Sequence, residues 1–390
     1  MSCKRMVSSM LKARLKTWQD LGLERHVPVL ADDPQEHCQL KEAVRVLSFL
    51  SNDYLGLASD KRWQQLVAES FAMAAPSASA SRLAGGHRQC MQQAEQALAE
   101  YFGHERALLV SSGFQGNAAI VAGLVQPGQP VFVDKRIHAS TAHALAASGA
   151  RIFPYRHADM EHLQRRLEGC TGSMQPMVFT ESLFSMDGTL TDVEALLALK
   201  RRYDFFLVVD EAHALGCLGP GGRGLCAGHA REVDVVLGTL GKGLGLFGAF
   251  ILLGEECARA LEHFASPLMH STALPPAHAL ACTRLVELLP GLEKERQRLA
   301  GNALFLREAL KQRGCTTLGA AHIVALPLGL EDCAQKVCLS LQRKGILVLA
   351  ARFPTVPVHQ ALLRFSVTAR HTQDILQETA CCVASSLQEQ

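Results

Sequence analysis

The run Phe205-Phe206-Leu207-Val208-Val209 is followed directly by Asp210-Glu211-Ala212-His213. Five consecutive apolar residues without alternation are typical of a strand that is buried on both faces of a sheet. The polar continuation therefore predicts that the carboxyl end of this strand opens into a crevice, which is where open α/β sheets bind their ligands. We expect Asp210 and His213 to line that crevice.

A second apolar run, residues 233–237 with Asp234 inside it, leads into Gly238-Thr239-Leu240-Gly241-Lys242-Gly243. Because neighbouring parallel strands end at the same edge of a sheet, we expect Lys242 to lie near Asp210 and His213. A desolvated lysine loses its proton readily, and the neutral amine attacks aldehydes. The arrangement therefore favours Schiff-base chemistry.

Strand and helix patterns alternate from residue 107 to residue 253. This rhythm predicts an α/β protein with a mostly parallel central sheet and helices on both faces. The pattern divides the chain into a large α/β domain at residues 51–285 and a smaller α+β domain at residues 286–390. Residues 1–50 are expected to form an N-terminal helix and short strands.

Composition excludes several classes of protein. Of the 390 residues, 48% are hydrophobic and 19% are charged, which is ordinary for a globular protein. A net charge of +2 is too small to indicate a nucleic-acid or membrane-surface partner, and no run of 18 apolar residues predicts a membrane span. The 13 cysteines include no CxxC pair, which favours free thiols in a reducing, cytoplasmic compartment and no metal site.

Residues 4–16 carry five basic side chains and no acidic one, with apolar residues between them. This pattern has two interpretations: an amphipathic transit peptide, or an N-terminal helix that lies on the domain. We favour the helix on the domain.

Two motifs resemble known nucleotide-binding signatures. Gly243-Leu244-Gly245-Leu246-Phe247-Gly248 spells GxGxxG, but a dinucleotide fingerprint follows a strand and opens a helix, whereas here an apolar strand pattern follows. Asp210-Glu211-Ala212-His213 spells the acidic box of a helicase, but the required upstream GxxxxGK[ST] is absent from the sequence. We therefore exclude dinucleotide binding and helicase activity.

Pyridoxal phosphate needs a lysine for its aldehyde, an acid opposite its ring nitrogen, a phosphate cradle and a group packed on its ring. Lys242 and Asp210 match the first two needs. Ser112-Gly113-Phe114 stands between a strand and a helix start, where free backbone N–H groups bind anions. His138 follows another strand and is placed to stack on the ring, while His213 is placed to reach the ring hydroxyl. We therefore predict pyridoxal phosphate as the cofactor.

With these residues in this order, the chain resembles the α-oxoamine synthases, a pyridoxal-phosphate family with the fold of aspartate aminotransferase (fold type I). The likeness runs from residue 51 to residue 369. It is carried by Ser51-Asn52-Asp53-Tyr54-Leu55-Gly56, Ser112-Gly113-Phe114, His138-Ala139-Ser140, Phe184-Ser185-Met186-Asp187-Gly188, Val209-Asp210-Glu211-Ala212-His213, Gly238-Thr239-Leu240-Gly241-Lys242-Gly243, Ser271-Thr272-Ala273-Leu274-Pro275-Pro276 and Phe353-Pro354-Thr355-Val356-Pro357.

The resemblance implies the same four roles for Lys242, Asp210, His213 and His138. It also implies further cofactor or phosphate contacts, from Ser112, Gly113, Phe114, Ser185 and Thr239. The family consists of homodimers with shared active sites, so Thr272 would reach the phosphate of the neighbouring subunit.

For the substrates, the resemblance implies that Asn52 and Arg364 hold the amino-acid carboxylate, a task that suits the guanidinium fork. Arg25 would meet the carboxylate of a pimeloyl chain, and Thr355 would add a further substrate contact. The implied reaction joins an amino acid to an acyl thioester with loss of carbon dioxide, and we expect L-alanine and a pimeloyl thioester, carried by coenzyme A or an acyl carrier protein.

The sequence departs from the family pattern near the substrate site. Ala78-Ser79-Ala80-Ser81-Arg82-Leu83 replaces a glycine-rich stretch, Met91 replaces a usual histidine, and the loop Gly85-Gly86-His87-Arg88-Gln89-Cys90 is unusual. A sibling activity with glycine or a long-chain acyl donor therefore stays open. So does a non-catalytic protein that retains the fold.

Overall fold

The computed structural model describes residues 3–20, 23–24, 27, 29–31, 37–40 and 45–389. The strands in this part of the chain are β1 (Leu30–Ala31), β2 (His37–Leu40), β3 (Arg45–Ser48), β4 (Arg106–Val110), β5 (Pro130–Asp134), β6 (Arg151–Tyr155), β7 (Met177–Glu181), β8 (Phe206–Asp210), β9 (Val235–Thr239), β10 (Ala249–Leu253), β11 (Ile323–Gly329), β12 (Ile346–Leu347), β13 (Leu349–Ala351) and β14 (Ala361–Ser366).

The α-helices in the same residues are α1 (Cys3–Asp20), α2 (Lys61–Met73), α3 (Gln89–Phe102), α4 (Gly113–Leu124), α5 (Ala139–Ala147), α6 (Met160–Glu168), α7 (Val193–Tyr203), α8 (Glu255–Phe264), α9 (Ser266–Met269), α10 (Pro276–Leu288), α11 (Glu293–Lys311), α12 (Glu331–Arg343) and α13 (Gln373–Gln388). None of these helices has the length and apolar character needed to cross a membrane.

The central sheet has seven strands in the order β4-β10-β9-β8-β7-β5-β6, with β8 in the middle. Leu207 and Val209 of β8 face one hydrophobic core, and Val208 faces the other. Burial on both faces explains why the sequence of β8 shows no apolar–polar alternation. The predicted α/β class with a mostly parallel sheet is confirmed.

One strand of this sheet runs against the others. β10 pairs antiparallel with both β9 and β4, and Ala249 lies opposite Thr239. The segment between β9 and β10 spans only residues 240–248, too few for the helical crossover that a parallel strand would need. The turn that carries Lys242 is therefore held between two central strands.

The C-terminal part of the chain forms an antiparallel sheet in the order β11-β14-β13, covered by α11, α12 and α13. β12 pairs in parallel with β3, and Phe49 packs in the same hydrophobic core. The N-terminal strands therefore extend the structure of the C-terminal part. The boundaries at residues 50 and 285 stay a prediction.

The N-terminal helix forms as α1, but it does not lie on the domain as expected. Every side chain from residue 7 to residue 20 is exposed, including Leu15 and Trp18. Helix formation depends on local sequence, whereas burial needs a facing surface, and the described residues place none against α1.

A histidine lies between two buried carboxylates where the loops after β5, β6 and β7 meet. His157 Nδ1 is 2.9 Å from Asp134 Oδ1, and its Nε2 is 3.2 Å from Asp187 Oδ2. Burial opposes a charge on this imidazole, but the hydrogen bonds and charges of both carboxylates outweigh burial and raise the pKa of His157 to about 9. His157 is therefore charged at neutral pH.

We expect this contact to make the free energy of unfolding depend on pH. The folded pKa of His157 lies above its unfolded value, so the stabilisation is complete below about pH 6.5 and is lost as the pH rises through about 9. The loss should be on the order of 2–3 kcal/mol. Urea unfolding at pH 7 and pH 10 should show it in the wild type and not in His157→Gln, and an equal loss in both proteins would contradict this role.

Candidate active site

Polar side chains from distant segments meet at the carboxyl edge of the central sheet. Asp210 ends β8, His213 follows it by three residues, and Lys242 lies in the turn between β9 and β10. Arg364 reaches the same place from β14, as its hydrogen bonds show below. The structure thus brings together residues that the sequence placed at one edge.

Lys242 contacts an imidazole. Its Nζ lies 2.7 Å from His213 Nε2. Burial lowers the pKa of Lys242 to about 8, although the carboxylates of Asp210 and Glu181 oppose this shift. A sizeable neutral fraction near neutral pH is what a nucleophilic or proton-abstracting lysine needs.

The turn that carries Lys242 is closely packed. A Cβ added to Gly243 would lie 2.5 Å from Cys217 Sγ, and one added to Gly245 would lie 2.4 Å from Leu57 Cβ. Gly245 also has a φ of +59°, a left-handed conformation that glycine adopts without strain. These glycines therefore allow the turn to pack closely. Because strand β10 and not a helix follows the glycines, the GxGxxG sequence does not have the context of a dinucleotide fingerprint.

Asp210 is buried and held by two donors. Its Oδ1 accepts a hydrogen bond from the Ala212 N–H at 2.9 Å, and its Oδ2 accepts one from Asn117 Nδ2 at 3.1 Å. Asn117 Nδ2 also donates to Ser140 Oγ at 2.9 Å, and Ser140 Oγ lies 2.6 Å from His138 Nδ1. Hydrogen bonds through Asn117 and Ser140 therefore connect Asp210 with His138.

His138 caps the N-terminus of α5, and its ring is partly buried beside Ser140. Burial lowers the pKa of His138, an effect that Lys242 reinforces and Asp210 opposes. A neutral ring at this position can stack on a flat group beside Asp210. The contact itself stays a prediction.

A second network surrounds the other nitrogen of His213. Its Nδ1 lies 2.6 Å from the Tyr54 hydroxyl, which lies 3.0 Å from Asn52 Oδ1. Arg364 Nη2 donates to Asn52 Oδ1 at 2.9 Å and to the Tyr54 hydroxyl at 3.2 Å, and Arg364 Nε donates to the Ser185 carbonyl. The predicted carboxylate site, Asn52 and Arg364, is thereby joined to Lys242.

The predicted phosphate cradle lies at the start of α4. Ser112 is the N-cap, and its hydroxyl accepts a hydrogen bond from the Gln115 N–H. Among the described residues, the N–H groups of Gly113 and Phe114 have no backbone acceptor, as expected for the first turn of a helix. Phe114 is half exposed. This helix start offers the free donors that a phosphate binds.

Three predicted residues do not join this group in the structure, and a fourth cannot be placed. The Thr239 hydroxyl donates to the Gly248 carbonyl at 3.1 Å, so it supports the lysine turn. Thr272 and Thr355 are exposed, and none of their hydrogen bonds in the described residues reaches Lys242 or Arg364. Arg25 lies outside the described residues. The contacts expected of all four stay predictions.

Three residues near the lysine were not singled out from the sequence. Tyr54 lies inside a quoted motif, and Asn117 stands one turn into α4. Glu181 ends β7, opposite Asp210, and burial together with Asp210 raises its pKa well above the usual range. A polar residue at the last position of a buried strand was the signal that could have identified Glu181.

The residues present fit pyridoxal phosphate. An amine of lowered pKa, a buried carboxylate and a helix N-terminus stand at one sheet edge. A Cβ added to Gly113 would meet nothing within 4 Å, so the start of α4 leaves room for a phosphate group. In the described residues no cluster of His, Cys, Asp and Glu could hold a metal ion.

Comparisons with known proteins agree with this chemistry. The sequence profile of the class I and II aminotransferases matches residues 44–381. A Bacillus cereus protein with the provisional name 8-amino-7-oxononanoate synthase is 33% identical over 366 residues, which cover 93% of this chain and 92% of that protein. A Bacillus thuringiensis protein of the same provisional name is also 33% identical over 366 residues, with the same coverage.

Two solved structures are similar over most of the chain. Serine palmitoyltransferase from S. paucimobilis, bound to a PLP–myriocin aldimine, has a TM-score of 0.90 and 25% identity, covering 100% of this chain and 99% of that one. 8-Amino-7-oxononanoate synthase from Francisella tularensis has a TM-score of 0.76 and 27% identity, covering 88% of this chain and 98% of that one. The chain therefore belongs to the α-oxoamine synthases, pyridoxal-phosphate-dependent acyltransferases with the fold of the class I and II aminotransferases.

Proposed function

We propose that the protein joins L-alanine to a pimeloyl thioester and releases carbon dioxide and the thiol carrier, which gives 8-amino-7-oxononanoate for biotin synthesis. The observation that carries this proposal is a buried Arg364 that donates to Asn52 and to the Tyr54 hydroxyl, which in turn contacts His213, the partner of Lys242. A carboxylate paired with Arg364 would place the α-carbon of an amino acid close to the amine of Lys242. The names of the Bacillus relatives support the choice of alanine and pimeloyl substrates.

Each residue of the site has a task in this reaction. When bound, pyridoxal phosphate withdraws electrons from the α-carbon of the amino acid through its protonated ring. Asp210 keeps a negative charge opposite the ring nitrogen, and Arg364 holds the carboxylate. The amine of Lys242 would take the α-proton as general base, a role that suits a pKa of about 8. His138 donates a hydrogen bond toward the thioester oxygen.

The proposal includes a homodimer with shared active sites. Thr272 is exposed and pairs with Ser81, beside the exposed Leu83. Phe264 is also exposed, directly before α9, which packs against residues 82–86. A second copy that covers these apolar side chains would bring its Thr272 toward the phosphate cradle of the first. The free thiols among the described cysteines suit a reducing compartment such as the cytoplasm.

A sibling activity has an observation in its favour. The TM-score to the serine palmitoyltransferase is 0.90, whereas that to the 8-amino-7-oxononanoate synthase is 0.76. The departures at residues 78–91 lie in the segment where the family resemblance locates substrate contacts. Serine with a long-chain acyl thioester is therefore the second candidate pair.

Release of coenzyme A distinguishes the two candidates. The purified protein would be assayed with alanine, glycine and serine against acetyl-, pimeloyl- and palmitoyl-coenzyme A, and with pimeloyl acyl carrier protein. We expect alanine with a pimeloyl donor to give the highest kcat/KM, by at least about tenfold, because a buried site discriminates chain length and end charge by a few kcal/mol. No turnover of this pair would refute the proposed substrates, and preference for serine with palmitoyl-coenzyme A would establish the second candidate.

A further inference from the structure

The Tyr54 hydroxyl lies between the carboxylate site and the histidine that contacts Lys242. It lies 2.6 Å from His213 Nδ1, while His213 Nε2 lies 2.7 Å from Lys242 Nζ. On its other side it contacts Arg364 and Asn52. Tyr54 and His213 are both buried, so water cannot replace these contacts.

The protonation states of the pair follow from burial. Burial raises the pKa of Tyr54, so the hydroxyl keeps its hydrogen. Burial lowers the pKa of His213 well below its usual value, and the charges of Lys242 and Arg364 lower it further. His213 is therefore a neutral imidazole, with one N–H donor and one acceptor nitrogen.

The neighbours decide which nitrogen of His213 carries the hydrogen. A guanidinium only donates, so the Tyr54 oxygen accepts from Arg364, and its own hydrogen is left for His213 Nδ1 or Asn52 Oδ1. The separation is 2.6 Å to His213 and 3.0 Å to Asn52, and Asn52 Oδ1 already accepts from Arg364. Once the amine of Lys242 is linked to the cofactor, it no longer donates to Nε2 as an ammonium. The hydroxyl then donates to Nδ1, the nearer acceptor, and Nε2 carries the hydrogen.

We propose that Tyr54 is a positioning residue that fixes the hydrogen of His213 on Nε2 in the holoprotein, where Nε2 then donates to the ring oxygen of the bound cofactor. Without the hydroxyl, the other tautomer would turn a lone pair toward that oxygen. This role of Tyr54 depends on cofactor binding in the proposed function and not on the choice of amino acid or acyl donor.

The other groups that face Tyr54 and His213 do not supply a competing proton. His322 packs its ring on Tyr54, with centroids 4.0 Å apart, and burial lowers the pKa of His322 to about 3. Cys217 lies near Tyr54, and burial raises the pKa of its thiol, so it stays protonated. His138 is held neutral by burial, and Arg364 stays charged. In the holoprotein, Tyr54 is thus left to determine the tautomer.

The variant Tyr54→Phe removes only the hydroxyl. We expect the Kd of the apoprotein for pyridoxal phosphate to rise about fivefold to tenfold, as for the loss of one buried hydrogen bond. The pKa read from the visible absorption band of the bound cofactor should rise by up to about one unit, because a ring oxygen with one donor fewer is more basic. Tyr155→Phe is the matched control, since Tyr155 is equally buried and ends β6, beside Asp134 and Thr180.

A direct measurement keeps the proposal testable if Tyr54→Phe does not fold. Nitrogen-15 NMR of the histidine-labelled holoprotein reports which ring nitrogen of His213 carries the hydrogen, with His213→Asn used for assignment. Hydrogen on Nε2 supports the role of Tyr54, whereas hydrogen on Nδ1, or an unchanged Kd and band pKa in Tyr54→Phe, overturns it. Because none of these measurements uses a substrate, their failure is distinct from a failure of the proposed substrates.

Discussion

Replacing Lys242 with alanine should remove the visible band of the bound cofactor and lower coenzyme A release on the order of 10⁴-fold, since both the covalent link and the general base are lost. Lys242 is the amine whose pKa burial lowers to about 8 beside His213. The other site residues can retain pyridoxal phosphate non-covalently, so we expect binding to weaken rather than disappear. Absorption spectra and release of coenzyme A from pimeloyl-coenzyme A measure the two effects.

Two further variants define the cause of the Lys242→Ala effect. Lys242→Arg keeps a positive charge but cannot form the link, so it should be as inactive as Lys242→Ala. Lys311→Ala changes an exposed lysine on α11 and should behave as the wild type. A Lys242→Ala protein that releases coenzyme A at the native rate would exclude Schiff-base chemistry at this residue.

Asp210→Asn should lower kcat/KM by about 100-fold or more, equivalent to roughly 2.7 kcal/mol of transition-state stabilisation. The asparagine keeps the shape of the side chain but removes the charge that holds a proton on the ring nitrogen. Its amide would also face Asn117 Nδ2, which now donates to the carboxylate. The visible band should persist, because Lys242 is untouched.

Asp192→Asn provides a matched control for this change. Asp192 caps α7 through a hydrogen bond from the Ala195 N–H, and asparagine caps helices about as well as aspartate. We expect native activity in the control. If Asp210→Asn kept native kcat/KM with every substrate pair, Asp210 would not be the partner of the ring nitrogen.

Elements with strong local periodicity could be predicted from the sequence. β8, which was expected at residues 205–209, spans Phe206–Asp210 and so differs by one residue at each end. The apolar runs are continuous where both faces of a strand are buried, so a continuous run in the sequence predicts a central strand. The meeting of Asp210, His213 and Lys242 followed from strand order at one sheet edge.

Contacts between distant segments could not be predicted in this way. Tyr54 and His213 are 159 positions apart, and Asn117 and Asp210 are 93 apart. No local pattern states which hydroxyl or amide will face a given side chain, because this depends on how whole elements pack. The prediction that α1 lies on the domain failed for the same reason. The periodicity of a sequence indicates an apolar helix face but not which other element, if any, covers that face.

The crowding around the lysine turn has a consequence for how this enzyme could acquire new substrates. At Gly243 and Gly245 even one extra methyl group would collide with Cys217 or Leu57, so mutational drift there is restricted to glycine. Substitutions that change substrate preference must instead occur at positions with room for a larger side chain. Within residues 78–91, where the sequence departs from the pattern of the family it resembles, the exposed Leu83 is such a position and a natural target for directed evolution of acyl-chain preference.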